Sequence, residues 1–259
     1  MPRTSAKPDE GGCPVCSSAR LEPLPFAYEH RGSLLQGTRC RACEVVFLDP
    51  MPTDEEIAAL YGEEYFTTSG DTGGAHGRGA YLELAEEAEL VRYVAARAFD
   101  SVFRGHLRRR GELLDVGCGP GFFLKAMRDL GWKVAGLEIS AYAAQLARER
   151  HDLDVTTGSI STARFQADRF DAVIMGDVLE HLPRPVEALE TVRTWMKPDG
   201  LLFVAIPSTL NLLSTRIGLA IYRLLGRRKK LRIPPYHLFE YTPASIRRTL
   251  GVSGFEVLS

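Results

Sequence analysis

Residues 112–121 read Glu-Leu-Leu-Asp-Val-Gly-Cys-Gly-Pro-Gly, and residues 132–138 read Trp-Lys-Val-Ala-Gly-Leu-Glu. An apolar run ends in Asp115, and Gly117, Gly119 and Gly121 then permit a tight turn with no Cβ in the way. Residues 122–130 can open a helix from that turn, whose first amides face whatever the loop holds. Strand, glycine turn and helix in this order form a nucleotide-type cofactor loop.

The glycine spacing selects among cofactors. A dinucleotide loop carries its third glycine three positions after the second, so that a pyrophosphate sits on the helix N-terminus. Here Gly121 follows Gly119 by two, and Phe occupies position 122. Glu138 closes the next strand about 20 residues past the loop, where a carboxylate can accept hydrogen bonds from ribose hydroxyls. A cofactor with a ribose and no phosphates fits best. The stretch 113–121 resembles the first motif of the class I S-adenosylmethionine-dependent methyltransferases. That resemblance implies an α/β fold, a doubly wound and mostly parallel sheet of Rossmann-like type, with S-adenosylmethionine as methyl donor. It implies cofactor contacts from Asp115, Gly117, Cys118, Gly119 and Gly121, from Glu138 and Ile139, and from Gly176 and Asp177 after the fourth strand. After the third strand the family often carries an acid for the adenine amino group; here Ser159 and Ile160 stand in its place, the hydroxyl as a weaker acceptor.

The chain has 259 residues, room for one full α/β domain plus a small module. A net charge of −1 offers no global field for nucleic acid. There is no run of about 18 apolar residues, and the first seven residues lack an apolar signal core, so a cytoplasmic protein is expected.

Four of the five cysteines form two close pairs, Cys13-Pro-Val-Cys16 and Cys40-Arg-Ala-Cys43, separated by 23 residues. Each pair can present two thiolates to one tetrahedral Zn²⁺, and together they close a structural site. A zinc ribbon is therefore expected over residues 12–50, too small to fold without its metal. Residues 51–80 read as a connecting helix, capped by Thr53 with Glu56 and running to Tyr61, and a linker with five glycines in 67–79. The catalytic domain then spans 81–259. It opens with a helix to about residue 104 whose apolar stripe is Leu84, Ala88, Val91, Ala95, Ala98 and Val102.

Beyond that helix, strands are expected at 112–116, 133–137, 153–156, 170–175 and 201–206, and helices at 122–130, 140–149 and 185–196. Short β-rich runs alternating with helical patterns imply a parallel sheet with helices on both faces and ligands beyond the carboxyl ends of the strands. Residues 254–259 supply a sixth strand, while the family's antiparallel seventh is missing; a truncated sequence or a partner's strand would account for it.

Asp177, Glu180 and His181 follow the fourth strand, and on a helical turn they share one face. Methyl transfer from a sulfonium needs alignment and, for a hydroxyl or amine acceptor, removal of a proton. His181 is the natural base, and His237, followed by Glu240, is a second candidate. Asp177, Glu180, His181 and His237 thus form the expected catalytic set. It resembles that of the metal-dependent small-RNA 2′-O-methyltransferases and of the ubiquinone-pathway O-methyltransferases, which implies a second divalent ion. Asp177 stands where those families carry Glu, and its shorter reach counts against the ion.

An insertion at 208–236 carries an apolar face (Leu210, Leu213, Ile217, Ala220, Ile221 and Leu224), with Arg216, Arg223 and a basic run at 227–232. It reads as a lid over the acceptor pocket, as a helix lying on an anionic membrane, or as a grip on a phosphate-bearing acceptor or RNA. The expected partners are a small-molecule, saccharide or lipid-linked acceptor, with peripheral membrane contact. Two other readings are an RNA methyltransferase, which the near-neutral charge and the lack of interleaved aromatics oppose, and a non-catalytic cofactor-binding scaffold.

Overall fold

The computed structural model describes residues 11–30, 32–67, 89–207, 213–231 and 235–258. The chain divides into two compact units: Met1–Thr53 with Glu180–Glu190 and Ile206–Ser259, and Asp54–Leu179 with Thr191–Ala205. The expected linker at 68–79, the start of the expected helix at 81–88 and insertion residues 208–212 and 232–234 lie outside the described residues.

The first unit is built on β1 (Leu21–His30), β2 (Ser33–Cys40) and β3 (Val46–Asp49). His30 faces Ser33 across a tight turn, and at the far end of the hairpin Leu21 faces Cys40. Strand β1 contains Pro23 and Pro25, and the register shifts between Pro23 and Ala27. Prolines cannot donate to a ladder, so a bulge is where they fit. The Gln36 side chain supplies donors there, bonding the Leu24 and Phe26 carbonyls at 2.6 and 2.9 Å. Two late strands, β9 (Lys229–Leu231) and β10 (Phe239–Glu240), complete a five-stranded sheet in the order β10-β3-β2-β1-β9. The expectation of a ribbon complete within 12–50 therefore gives way to a sheet closed by residues nearly 200 positions later. The physical reason is that β1 and β3 both leave unpaired edges, which other strands must cover. Helices α7 (Leu213–Leu224) and α8 (Pro243–Val252) belong to this unit, and α7 packs on β1.

The second unit carries the parallel sheet: β4 (Glu112–Val116), β5 (Lys133–Glu138), β6 (Val155–Thr157), β7 (Phe170–Gly176) and β8 (Met196–Ala205). The order is β6-β5-β4-β7-β8, every neighbouring pair parallel. The chain winds outward from β4 through β6 and then returns to the other side at β7. That reversal makes the carboxyl ends of β4 and β7 the switch point where such sheets bind ligands. Leu113, Leu114, Ala172 and Val173 are fully buried, as central parallel strands covered on both faces require. Helices α4 (Phe122–Asp129) and α5 (Ala141–His151) follow β4 and β5, α4 burying Leu124 and Met127, and α6 (Pro185–Trp195) leads into β8. Short helices α1 (Asp54–Ala58) and α2 (Glu63–Thr67) precede them, and Phe66 meets Tyr142 of α5 at 6.2 Å between ring centroids.

Helix α3 (Glu89–His106) turns a different face inward from the one expected. Ala96, Asp100 and Phe103 are buried with Phe99 packed beside them, whereas Val102 is 53% exposed. The aromatic pair Phe99 and Phe103 outweighs the small residues Ala95 and Ala98 in apolar area, so the helix rolls toward it. Asp100 goes in with that face because Arg110 and Trp132 donate three hydrogen bonds to it, at 2.7, 2.8 and 3.0 Å.

No sixth strand forms at 254–258. Gly254 takes a left-handed φ of 85° and the Phe255 amide donates to the Leu250 carbonyl, so the chain folds back onto the end of α8.

Candidate active site

Strand β4 ends at Val116, and the loop that follows needs its glycines. Gly117 has φ 75°, and a Cβ there would meet Val178 Cγ2 at 2.5 Å; Gly121 has φ 82°, and a Cβ there would meet Leu153 Cδ1 at 2.5 Å. Both positions are closed to other residues by conformation and by contact. The Gly117 amide donates to the Leu137 carbonyl of β5 at 2.7 Å, which ties the loop to the neighbouring strand.

Glu138 accepts two backbone hydrogen bonds. Its Oε2 accepts from the Gly119 amide at 2.7 Å and its Oε1 from the Ser140 amide at 2.8 Å. One carboxylate thus fixes both the glycine loop and the residue that caps α5. A carboxylate has about four acceptor positions, so capacity for hydroxyl donors remains. Burial pushes the Glu138 carboxyl up, and the backbone donors of Ser140, Gly119 and Ile139 oppose it. Asp115, at the end of the same strand as the loop, is pushed up to about 8, first by burial and then by the Glu138 charge. The two acids are therefore unequal at neutral pH: Asp115 holds a proton. Cys118 is buried and its thiol is pushed well above the ordinary range, chiefly by burial, so it is an inert packing group.

The remaining expected cofactor residues also follow carboxyl ends of the sheet. Ile139 leads from β5 into α5. Ser159 and Ile160 follow β6; the Ser159 hydroxyl lies 2.7 Å from that of Ser161 and 3.2 Å from that of Thr162, in a local polar turn, while Ile160 is buried. Gly176 ends β7, and the Asp177 amide donates to Ala205 of β8 at 2.9 Å. Asp177 has φ 52°, a left-handed conformation that aspartate tolerates better than most residues.

That conformation corrects the expected helical face. The helical turn is a short 3₁₀ segment over Leu179–His181, and Asp177 lies outside it. Of the expected catalytic set, the ligand atoms that gather within 4.8 Å of one another are those of Glu180, His181 and His237. All three belong to the first unit. His181 Nδ1 lies 2.5 Å from the Tyr236 carbonyl oxygen, which can only accept, so Nδ1 carries the proton and Nε2 the lone pair. Nε2 lies 3.7 Å from Glu180 Oε1, and the His181 and His237 rings are 5.0 Å apart. His237 Nδ1 lies 3.9 Å from Glu240 Oε1. Burial, aided by His237 and opposed by the Tyr236 bond, lowers His181 to about 4, so its imidazole is neutral at pH 7. The Tyr236 carbonyl and the buried Tyr241 beside Glu180 were not among the expected site residues; a backbone acceptor leaves no signature in a sequence.

The four remaining cysteines meet in the same unit. Cys13 and Cys43 Sγ are 3.5 Å apart, Cys16 and Cys40 Sγ are 3.6 Å apart, and all four sulfurs lie within 4.8 Å of one another. Four thiolates on a tetrahedral zinc at about 2.3 Å would stand about 3.8 Å apart, so the donor set and its spacing fit that ion.

Comparison with known proteins agrees with this geometry. The model of the methyltransferase domain family matches residues 87–259, and the chain belongs to that family. Its parallel sheet with a central switch point is the fold of the S-adenosylmethionine-dependent methyltransferases. A ubiquinone biosynthesis O-methyltransferase of Glaesserella parasuis is 30% identical over 159 residues, covering 56% of this chain and 65% of that one. One from Albidiferax ferrireducens is 32% identical over 138 residues, covering 50% and 52%. The chain thus spans about half to two thirds of the length of these curated relatives. Among solved structures, an S-adenosylmethionine-dependent methyltransferase of Leishmania major superposes with a TM-score of 0.55 at 16% identity, covering 78% of this chain and 75% of that one. One from Archaeoglobus fulgidus gives 0.51 at 22%, covering 68% and 74%; both likenesses concern the fold.

The protonated Asp115 makes a prediction about stability. A carboxyl raised from 3.8 to about 8 on folding holds a proton in the folded state that the unfolded chain releases, so it lowers stability as pH rises from 4 to 8. Asp115→Asn removes that dependence. The stability of the variant relative to wild type, measured by urea unfolding, is expected to improve between pH 5 and pH 8 by at least about 1.4 kcal/mol, the equivalent of one pKa unit. A difference independent of pH would refute the assignment.

Proposed function

We propose that the protein is an O-methyltransferase that moves the methyl group of S-adenosylmethionine to a hydroxyl of a small-molecule, saccharide or lipid-linked acceptor. The observation that carries this reading is the neutral His181, its tautomer set by the Tyr236 carbonyl, gathered with His237 and Glu180. In the proposed reaction an acceptor oxygen attacks the methyl carbon as the carbon–sulfur bond breaks, and the hydroxyl proton passes to His181 Nε2. Glu138 and the glycine loop hold the donor by its ribose. The likeness to ubiquinone biosynthesis O-methyltransferases supports an oxygen acceptor. The RNA-methylating and non-catalytic readings find no support in the comparisons.

Calorimetry with S-adenosylmethionine tests the core of the proposal. Wild type is expected to bind, and Glu138→Ala to bind at least about ten-fold more weakly, equivalent to losing roughly 1.4 kcal/mol. His181→Ala should keep donor binding while methyl transfer falls by about 10²–10⁴, the range of a lost general base. Equal donor affinity in Glu138→Ala would remove its ribose role, and full turnover in His181→Ala would remove the base.

Zinc at Cys13, Cys16, Cys40 and Cys43 would tie the two knuckles together through four thiolate ligands. Glu180, His181 and His237 also fit a divalent cation, which when bound would polarise the acceptor hydroxyl. Metal analysis is expected to give one zinc per chain, lost when Cys13 and Cys40 are changed to Ser. Turnover that survives EDTA at unchanged zinc content would leave the histidines as base alone.

Helix α7 supports a membrane-borne acceptor. Ile217, Ile221 and Leu224 stand at helical spacing and are 51%, 50% and 87% exposed, with Leu225 at 61%. This exposed face stands beside the exposed basic residues 227–230. No helix among the described residues is long and apolar enough to cross a membrane. The full chain is expected to sediment with phosphatidylglycerol vesicles and not with neutral ones, and Ile221→Asp with Leu224→Asp to abolish it. Sedimentation unaffected by those changes would place any lipid contact elsewhere.

A further inference from the structure

The segment Tyr236–Tyr241 is held from both sides within the first unit. On one side, β10 pairs with β3, Phe239 opposite Phe47 and Glu240 opposite Val46, and the Leu48 amide donates to the Leu238 carbonyl at 3.0 Å. On the other side, the Leu238 amide donates to the Glu180 carbonyl at 2.8 Å and the Tyr236 carbonyl holds His181 Nδ1. His237 lies between these two contacts, its ring 5.0 Å from that of His181. Strand β3 in turn starts three residues after Cys43, and the knuckle is closed by the Cys40 amide on the Val45 carbonyl at 2.9 Å and the Glu44 amide on the Cys40 carbonyl at 2.9 Å. Aromatic packing follows the same line: Phe47 lies 6.3 Å from Phe239, which stacks on the buried Tyr241 at 5.8 Å.

We propose that the four-cysteine centre is a positioning element for the histidine cluster, acting through β3 and the strap Tyr236–Tyr241, with Phe239 as its coupling residue. The strap has only a two-residue strand of its own, too short to stay ordered without a neighbour. Its neighbour is β3, whose start is fixed by the cysteine knuckle. Metal binding and strap order therefore stabilise the same backbone, and coupling between them is reciprocal. A ribbon acting only as a separate docking module would have no reason to share a ladder with the segment that carries His237. The inference rests on the histidine cluster being the acceptor-side group, as proposed above, but the coupling itself is measurable without activity.

The test uses the full chain with zinc bound, and compares wild type, Phe239→Ala, Phe239→Leu and Cys43→Ser. Phe239→Ala removes both ring contacts and leaves every cysteine in place. It is expected to speed amide exchange at Leu238 by about ten-fold or more, to leave the β4 and β5 amides protected, and to speed zinc release to a chelator by a similar factor. Phe239→Leu should restore part of both. Cys43→Ser should show the same faster exchange at Leu238, and if it fails to fold, Phe239→Ala alone decides. In Phe239→Ala, kcat should fall about ten-fold with the KM for S-adenosylmethionine unchanged. Zinc release and Leu238 exchange that do not move in Phe239→Ala would overturn the proposal. Coupled exchange and release with unchanged kcat would uphold the coupling and remove instead the catalytic role of the histidines, which His181→Ala tests separately.

Discussion

The hydrogen bonds of Glu138 are the constraint on which the cofactor end of this molecule depends. A single buried carboxylate accepts from Gly119 and from Ser140, so it holds the turn after β4 and the cap of α5 in one geometry. Charge-assisted bonds of this kind are stronger than neutral ones, and burial leaves no water to compete for them. The loop can therefore dispense with phosphate as an organising ligand. Its order comes from the next strand, through Glu138 and through the Gly117 amide on Leu137. Burial of two acids at this point has a consequence for charge. Burial raises both carboxyls, the Glu138 charge adding to the rise at Asp115 and the backbone donors opposing it at Glu138.

Much of this was legible in the sequence because the information is local. Three glycines at fixed offsets, an acid at the end of the next strand and two cysteine pairs specify turns whose chemistry depends on a handful of neighbouring residues. The five parallel strands and the helices between them also emerged nearly in place, because buried β-branched runs and helical periods differ in pattern. What the sequence concealed was non-local or rested on backbone atoms. Strand β1 carries two prolines that argue against a strand, and only the bulge and the Gln36 side chain reconcile them. Strand β10 has two residues, too few for any period to register. The face of α3 was misread because small residues repeated as regularly as the aromatic ones that decide burial.

The histidine cluster shows the same division. His181, Glu180 and His237 were readable as chemistry, since their residue types are uncommon in such spacing. Their grouping was not readable, because Asp177 takes a left-handed conformation that ends the expected helical face before Glu180 begins. A helical wheel assumes that every residue obeys it. One αL residue cancels the inference for everything on its far side.

His181 links the cysteine centre to the histidine cluster. An imidazole serves as a base near neutral pH when it is unprotonated and presents the correct nitrogen. Burial supplies the first condition, keeping the ring unprotonated by lowering it to about 4, at the expense of its proton affinity. The Tyr236 carbonyl supplies the second by holding the proton on Nδ1. Neither depends on a neighbouring side chain in sequence, and both fail if the strap moves by an ångström or two, because hydrogen bonds weaken steeply with misalignment and water would then reach the ring. The strap cannot secure itself, having a strand of only two residues. The cysteine knuckle, three residues before β3, has a geometry that a metal could fix independently of the unit's small core. A ribbon that braces a base makes physical sense of a sheet whose strands come from both ends of the sequence.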